Sequence, residues 1–121
     1  MRYLFIVLLL LSISCKKQSN LNPQQIKIGT FKTTIKNGNY TSFATRNDSI
    51  QIETFEQKKD TFYIKWLSNF EYVLQMKNPK TALDKRNFIV KITGIKENAY
   101  TFTAYYKGSN YKQKGKAIKI N

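Results

Sequence analysis

Histidine is absent from this chain, and cysteine occurs once, at Cys15. Without histidine there is no Ser-His-Asp or Cys-His nucleophile system, and zinc sites of the usual Cys/His kind are excluded. A single thiol closes no intramolecular disulfide, so stability must come from packing and sheet hydrogen bonds. Proline is limited to Pro23 and Pro79, which argues against a disordered chain. Acid is scarce as well: seven carboxylates stand against 21 lysines and arginines, for a formal charge of +14. No apolar run reaches the roughly 20 residues that a bilayer-spanning helix takes. Walker A, Rossmann and EF-hand patterns are missing too, so no metal or cofactor is expected.

What is present begins at the N-terminus. Met1-Arg2-Tyr3 supplies a positive charge, Leu4 to Leu11 is apolar, and Ser12-Ile13-Ser14 leads into Cys15. This is the layout of a lipoprotein signal peptide, with Leu11 one position further from the cysteine than is common. Residues 1–14 are expected to be removed and Cys15 to carry diacylglycerol, often with palmitate on its amine. Each buried CH₂ of such chains contributes about 0.8 kcal/mol, so several chains hold the protein firmly on a membrane. Lys16 to Gln25 is polar and aperiodic, which predicts a flexible tether over 15–25 and one domain over 26–121.

That domain alternates with period two and is rich in Thr, Ile, Phe and Tyr, the signature of half-buried strands. Ile26-Lys27-Ile28 and Phe31 to Ile35 flank Gly29, a bend or a change of phase, and Asn37-Gly38 predicts a tight hairpin. Tyr40 to Thr45 returns, Arg46-Asn47-Asp48 turns, and Ile50 and Ile52 share one face of the next strand. Phe62, Ile64 and Trp66 share a side, as do Phe70, Tyr72, Leu74 and Met76, and later Tyr100, Phe102, Ala104 and Tyr106. Gly94 is expected to bend the strand that begins at Phe88, and Thr81-Ala82-Leu83 to hold a short helical turn. Tyr111 is out of phase with Ile118 and Ile120, so a bulge is expected near Gly115-Lys116. The fold class is all-β: an antiparallel meander of about eight strands in a small open or closed barrel, lipocalin-like, with a two-sheet sandwich as the alternative.

Candidate site residues are few. Glu53 and Glu71 are the acids a small carboxylate-dependent hydrolase would use, although Glu71 is expected to face outward beside Lys65 or Lys91. Trp66 is read as core. From Asn98 onward there are five lysines and no acid, and Lys112, Lys114 and Lys116 alternate along one side of a strand, with Lys119 beyond. Such a stripe attracts polyanions or an anionic membrane surface, and strand lysines also discourage edge pairing. Nucleic acid is the poorer match, because an exported protein meets little of it and lysine rather than arginine dominates. Asp48-Ser49-Ile50 fits a short O-glycosylation pattern at Ser49 and equally a turn.

The segments Thr45-Arg46-Asn47-Asp48-Ser49 with Ile52, Ile64-Lys65-Trp66, Glu71-Tyr72, Asn78-Pro79-Lys80 and Lys114 to Lys119 resemble a group of short Bacteroidota lipoproteins. The resemblance covers most of the chain after Cys15. Members often carry the automatic label DNA topoisomerase IV, an activity this chain has no parts for. A type II topoisomerase needs a cleavage tyrosine beside an arginine, an acidic metal cluster and an ATPase subunit. The resemblance implies no site residues. Surface-exposed lipoproteins of Bacteroidota often carry acidic residues just after the cysteine, whereas Lys16 and Lys17 stand here, so the periplasmic leaflet of the outer membrane is expected. The chain is thus expected to be a monomeric, non-enzymatic envelope module. Its partner would be a ligand, a protein or an anionic envelope component.

Overall fold

The computed structural model describes residues 19–36 and 40–121, so the expected signal peptide, Cys15 and the expected hairpin at Asn37-Gly38 lie outside the described residues. Eight antiparallel strands close into a barrel in simple sequential order: β1 (Gly29–Ile35), β2 (Thr41–Arg46), β3 (Ile50–Phe55), β4 (Lys58–Ser68), β5 (Glu71–Met76), β6 (Phe88–Lys96), β7 (Ala99–Tyr106) and β8 (Gln113–Lys119). Pairing of β1 with β8 closes the ring and removes both sheet edges, which decides barrel over sandwich. Among the described residues the one helix is a single turn, α1 (Pro23–Ile26), and none is long and apolar enough to cross a membrane.

That turn occupies the last part of the expected tether. Asn22 accepts a hydrogen bond from the Gln25 amide, the Gln25 side chain bonds back to Asn22, and Pro23 opens the helix with its φ already set. Ile26 therefore ends a helix instead of alternating with Ile28 in a strand, and is fully buried while Ile28 is exposed. The segment lies across one end of the barrel and is tied to the wall at four points. The Leu21 amide donates to Glu97 O (2.8 Å), Arg46 to Ile26 O (3.1 Å), Lys119 Nζ to Gln25 O (2.7 Å) and Lys27 Nζ to Asn69 Oδ1 (3.2 Å). Gly29 follows with φ +130°, and a side chain there would meet Asn121 O at 2.5 Å, so only glycine fits.

The core sits at this closed end. Ile26, Phe31, Ile64, Tyr72, Tyr100 and Phe102 form it, with Trp66 and Leu21 packed against it. Trp66 lies 4.6 Å from the Tyr72 ring, as a core residue would. Register shifts occur at Trp66/Ser68 in β4 and at Ile92/Gly94 in β6, where Gly94 was expected to bend the strand.

The bulge expected at Gly115-Lys116 is absent: β8 stays in register with both neighbours. Gln113, Gly115 and Ala117 face inward, because a Cβ on Gly115 would stand 2.5 Å from the Phe102 ring and 2.9 Å from Thr34 O. The phase of β8 is thus set by the ring it faces. Ile118 and Ile120 fall on the outside, Ile120 at 53% exposure. Phe70 likewise leaves the row of Tyr72, Leu74 and Met76, since it sits in the β4–β5 turn and is exposed. Over the Thr81–Arg86 stretch the Lys85 and Arg86 amides donate to Ala82 O and Leu83 O, successive turns with Asp84 capping Lys80 and Thr81.

Candidate functional site

Away from α1 the barrel is hollow. A cavity of about 630 Å³ opens at the end formed by Ile35, Lys58, Met76, Phe88, Tyr106 and Gln113. That volume is in the range of small-ligand sites. The connection carrying Lys80, Asp84 and Arg86 reaches its rim, as does Tyr111. At the rim Tyr40 stacks on Phe55, with ring centroids 4.2 Å apart.

The two sides of the cavity differ in chemistry. β4 to β7 present Phe62, Leu74, Met76, Phe88, Val90 and Phe102. β2 and β3 present Ser42, Ala44, Arg46, Gln51 and Glu53. On these two strands large apolar side chains such as Phe43 and Ile52 point the other way, Phe43 at 43% exposure and Ile52 at 40%. Ile50 and Ile52 do share a face, as their spacing requires, and it is the outer one.

Arg46 is the deepest charge, 3% exposed at the floor. One terminal nitrogen donates to Ile26 O, the other to Tyr72 Oη at 3.5 Å, and Tyr72 and Tyr100 share a hydrogen bond of 3.1 Å. The guanidinium lies 4.3 Å from the Phe31 ring centre, 5.1 Å from Tyr72 and 5.8 Å from Tyr100. Burial opposes its charge and the Tyr72 and Tyr100 hydroxyls more than offset this, so it remains a cation. Burial pushes the Tyr72 phenol well above its ordinary value, so it remains protonated. Arg46 Nε and Gln51 Oε1, on cross-strand partners, are buried without a hydrogen-bond partner.

Nearer the mouth Glu53 faces Asp60 across the β3–β4 ladder and receives a 3.4 Å hydrogen bond from Tyr40 Oη. Burial raises the Glu53 carboxyl above its usual range, and the hydroxyls of Ser42 and Tyr40 pull it partly back. Burial, with Glu53 beside it, pushes Tyr40 up to about 12. Among the described residues no group of three or more acidic side chains stands close enough to hold a metal ion.

The residues singled out in the sequence are dispersed. Glu71 is next to inward Tyr72 and so faces outward, opposite Lys91 in register, which separates it from Glu53 by the barrel wall. Lys112, Lys114 and Lys116 are exposed on the outer face of the β8 segment, and Lys112 Nζ and Lys91 Nζ lie 5.2 and 5.8 Å from the Tyr105 ring. Lys119 stands apart from them, half-buried against α1. Ser49 is exposed in the β2–β3 turn, its amide bonded to Asn47 Oδ1. Sequence reasoning missed Arg46, Gln51 and Tyr100 as a group. The readable signal was the inward phase Ser42, Ala44, Arg46, hidden because Arg46 adjoins Asn47-Asp48 and passes for a turn residue.

No protein family, curated protein or solved structure matches this chain.

Proposed function

We propose that this chain is a lipid-anchored envelope protein that binds a small ligand inside its barrel and performs no chemistry on it. The observation that carries this reading is the row of polar side chains turned into the cavity from β2 and β3. Inward polar groups lower stability unless something compensates them, so their presence opposite the apolar side chains of β5 to β7 points to a ligand. Acylation at Cys15 fits the geometry. Leu21 is fixed at the closed end, and the few residues between it and Cys15 reach about 20 Å when extended. The closed end would then lie near the periplasmic face of the outer membrane, with the mouth turned away.

Metabolic labelling with a clickable palmitate tests the anchor: the native chain takes label and Cys15→Ala does not. Labelled Cys15→Ala, or an unlabelled native chain in the cytosol, would overturn it.

A second reading, polyanion or membrane-surface binding, is favoured by Lys91 and Lys112 flanking Tyr105 on the outer wall. The hydrolase reading now rests on Glu53 with Asp60, since Glu53 and Glu71 cannot meet. It requires turnover that Glu53→Gln abolishes, whereas a binding module returns its ligand intact.

A further inference from the structure

The cavity floor holds more hydrogen-bond donors than acceptors. Two of the three nitrogens of Arg46 donate one hydrogen bond each, and its Nε–H donates none. Tyr72 accepts from Arg46 and shares one proton with Tyr100, so whichever way that bond runs, one phenolic O–H is left to donate. The charge is balanced only from a distance, by Glu53, whose carboxyl it pulls down. Among the described residues Arg46 forms no ion pair, and three aromatic rings with one backbone carbonyl only partly replace the water it has lost. A buried cation with a spare N–H, beside a spare O–H and at the foot of an apolar wall, is complementary to an acceptor carrying negative charge.

We infer that the cavity takes an organic monoacid, its carboxylate seated against Arg46 and the Tyr72–Tyr100 pair and its apolar body lying along Leu74, Val90 and Phe102. The inference rests on the interior-binding reading and names its ligand class. Carboxylate suits the floor better than a phosphate monoester. One guanidinium balances one negative charge, and Glu53, on the next inward-facing pair of the same ladder, repels a second. Gln51, opposite Arg46 in register, can donate to the same head group only through its amide NH2, with its unpartnered Oε1 turned away from the carboxylate.

The test compares decanoate with decanol, which share a tail and differ in the head, by calorimetric titration into the full chain carrying Cys15→Ser. Trp66, the single tryptophan, packs on Tyr72 and gives a second readout from the floor. Decanoate is expected to bind at least tenfold more tightly than decanol and to shift Trp66 emission. In Arg46→Met the two ligands should come within about threefold of each other, with decanol affinity retained. Should Arg46→Met fail to fold, Tyr100→Phe, which keeps the ring and removes the hydroxyl, is expected to lower decanoate affinity several-fold and leave decanol unchanged. Equal binding of acid and alcohol to the native chain would overturn the inference and leave the interior-binding reading standing. Binding of neither would overturn both.

Discussion

Strands β5 to β7 turn Tyr72, Leu74, Val90 and Phe102 inward and leave Gln75, Lys91 and Thr101 to solvent, whereas β2 and β3 turn Ser42, Arg46, Gln51 and Glu53 inward and leave Phe43 and Ile52 outside. Both regions alternate cleanly with period two. They differ in which half of the alternation the barrel encloses. On the first wall enclosure follows hydrophobicity, and burial of apolar area stabilises the fold by roughly 25 cal/mol per Å². On the second wall it runs against hydrophobicity, and the local cost is accepted over several consecutive positions. Closure makes this possible: once β1 pairs with β8, the facing of every strand is fixed by its neighbours, and a strand is not free to slip by one residue to bury its own apolar side.

The largest effect that sharpens this contrast comes from truncating the two walls. Leu74→Ala should cost about 2–5 kcal/mol in denaturant unfolding, since Leu74 is 4% exposed in the core. Phe43→Thr, which removes a larger side chain from the other wall, should change stability by no more than about 0.5 kcal/mol. Similar losses at the two positions would break the contrast.

A smaller effect of opposite sign is expected at Glu53. Burial raises its carboxyl, so the folded chain holds that proton more tightly than the unfolded chain. The stability this contributes is complete below the ordinary value of 4.5 and is lost as pH rises through the raised one. Glu53→Gln should therefore unfold at higher denaturant than the native chain at pH 7, and the two should converge as pH falls below 4.5. A margin that persists or widens in acid would contradict the reading of Glu53 as a carboxylate held on the polar wall against its preference for water.

Much of the fold was legible in the residues. Tyr100, Phe102, Ala104 and Tyr106 read as one face and are one, which the barrel turns inward, and Gly94 marks a real register shift. The capping pair Asn22 and Gln25 was also there to be read, but four residues are too few to show helical period, and Ile26 mimicked a strand with Ile28. What the alternation could not carry is the sense of facing. Ile118 in β8 and Ile120 just beyond it, like Ile50 and Ile52 in β3, form an apolar row that the barrel leaves outside, in β8 because Gly115 leaves the room that the Phe102 ring takes. The candidate site was illegible for the same reason: Arg46, Gln51, Tyr72 and Tyr100 come from four strands, and only closure brings them to one floor. Outer-wall features such as the β8 lysines were visible because exposure needs no tertiary partner.

The most direct test of the two-walled interior is where a bound acid makes its contacts. In a nuclear magnetic resonance experiment with labelled protein, decanoate should give intermolecular Overhauser contacts to the side chains of Leu74, Val90 and Phe102, with the largest shift changes at Arg46 Nε–H and Gln51. Contacts gathered instead on Phe43, Ile52 and Tyr63, on the outside of β2 to β4, would contradict the account.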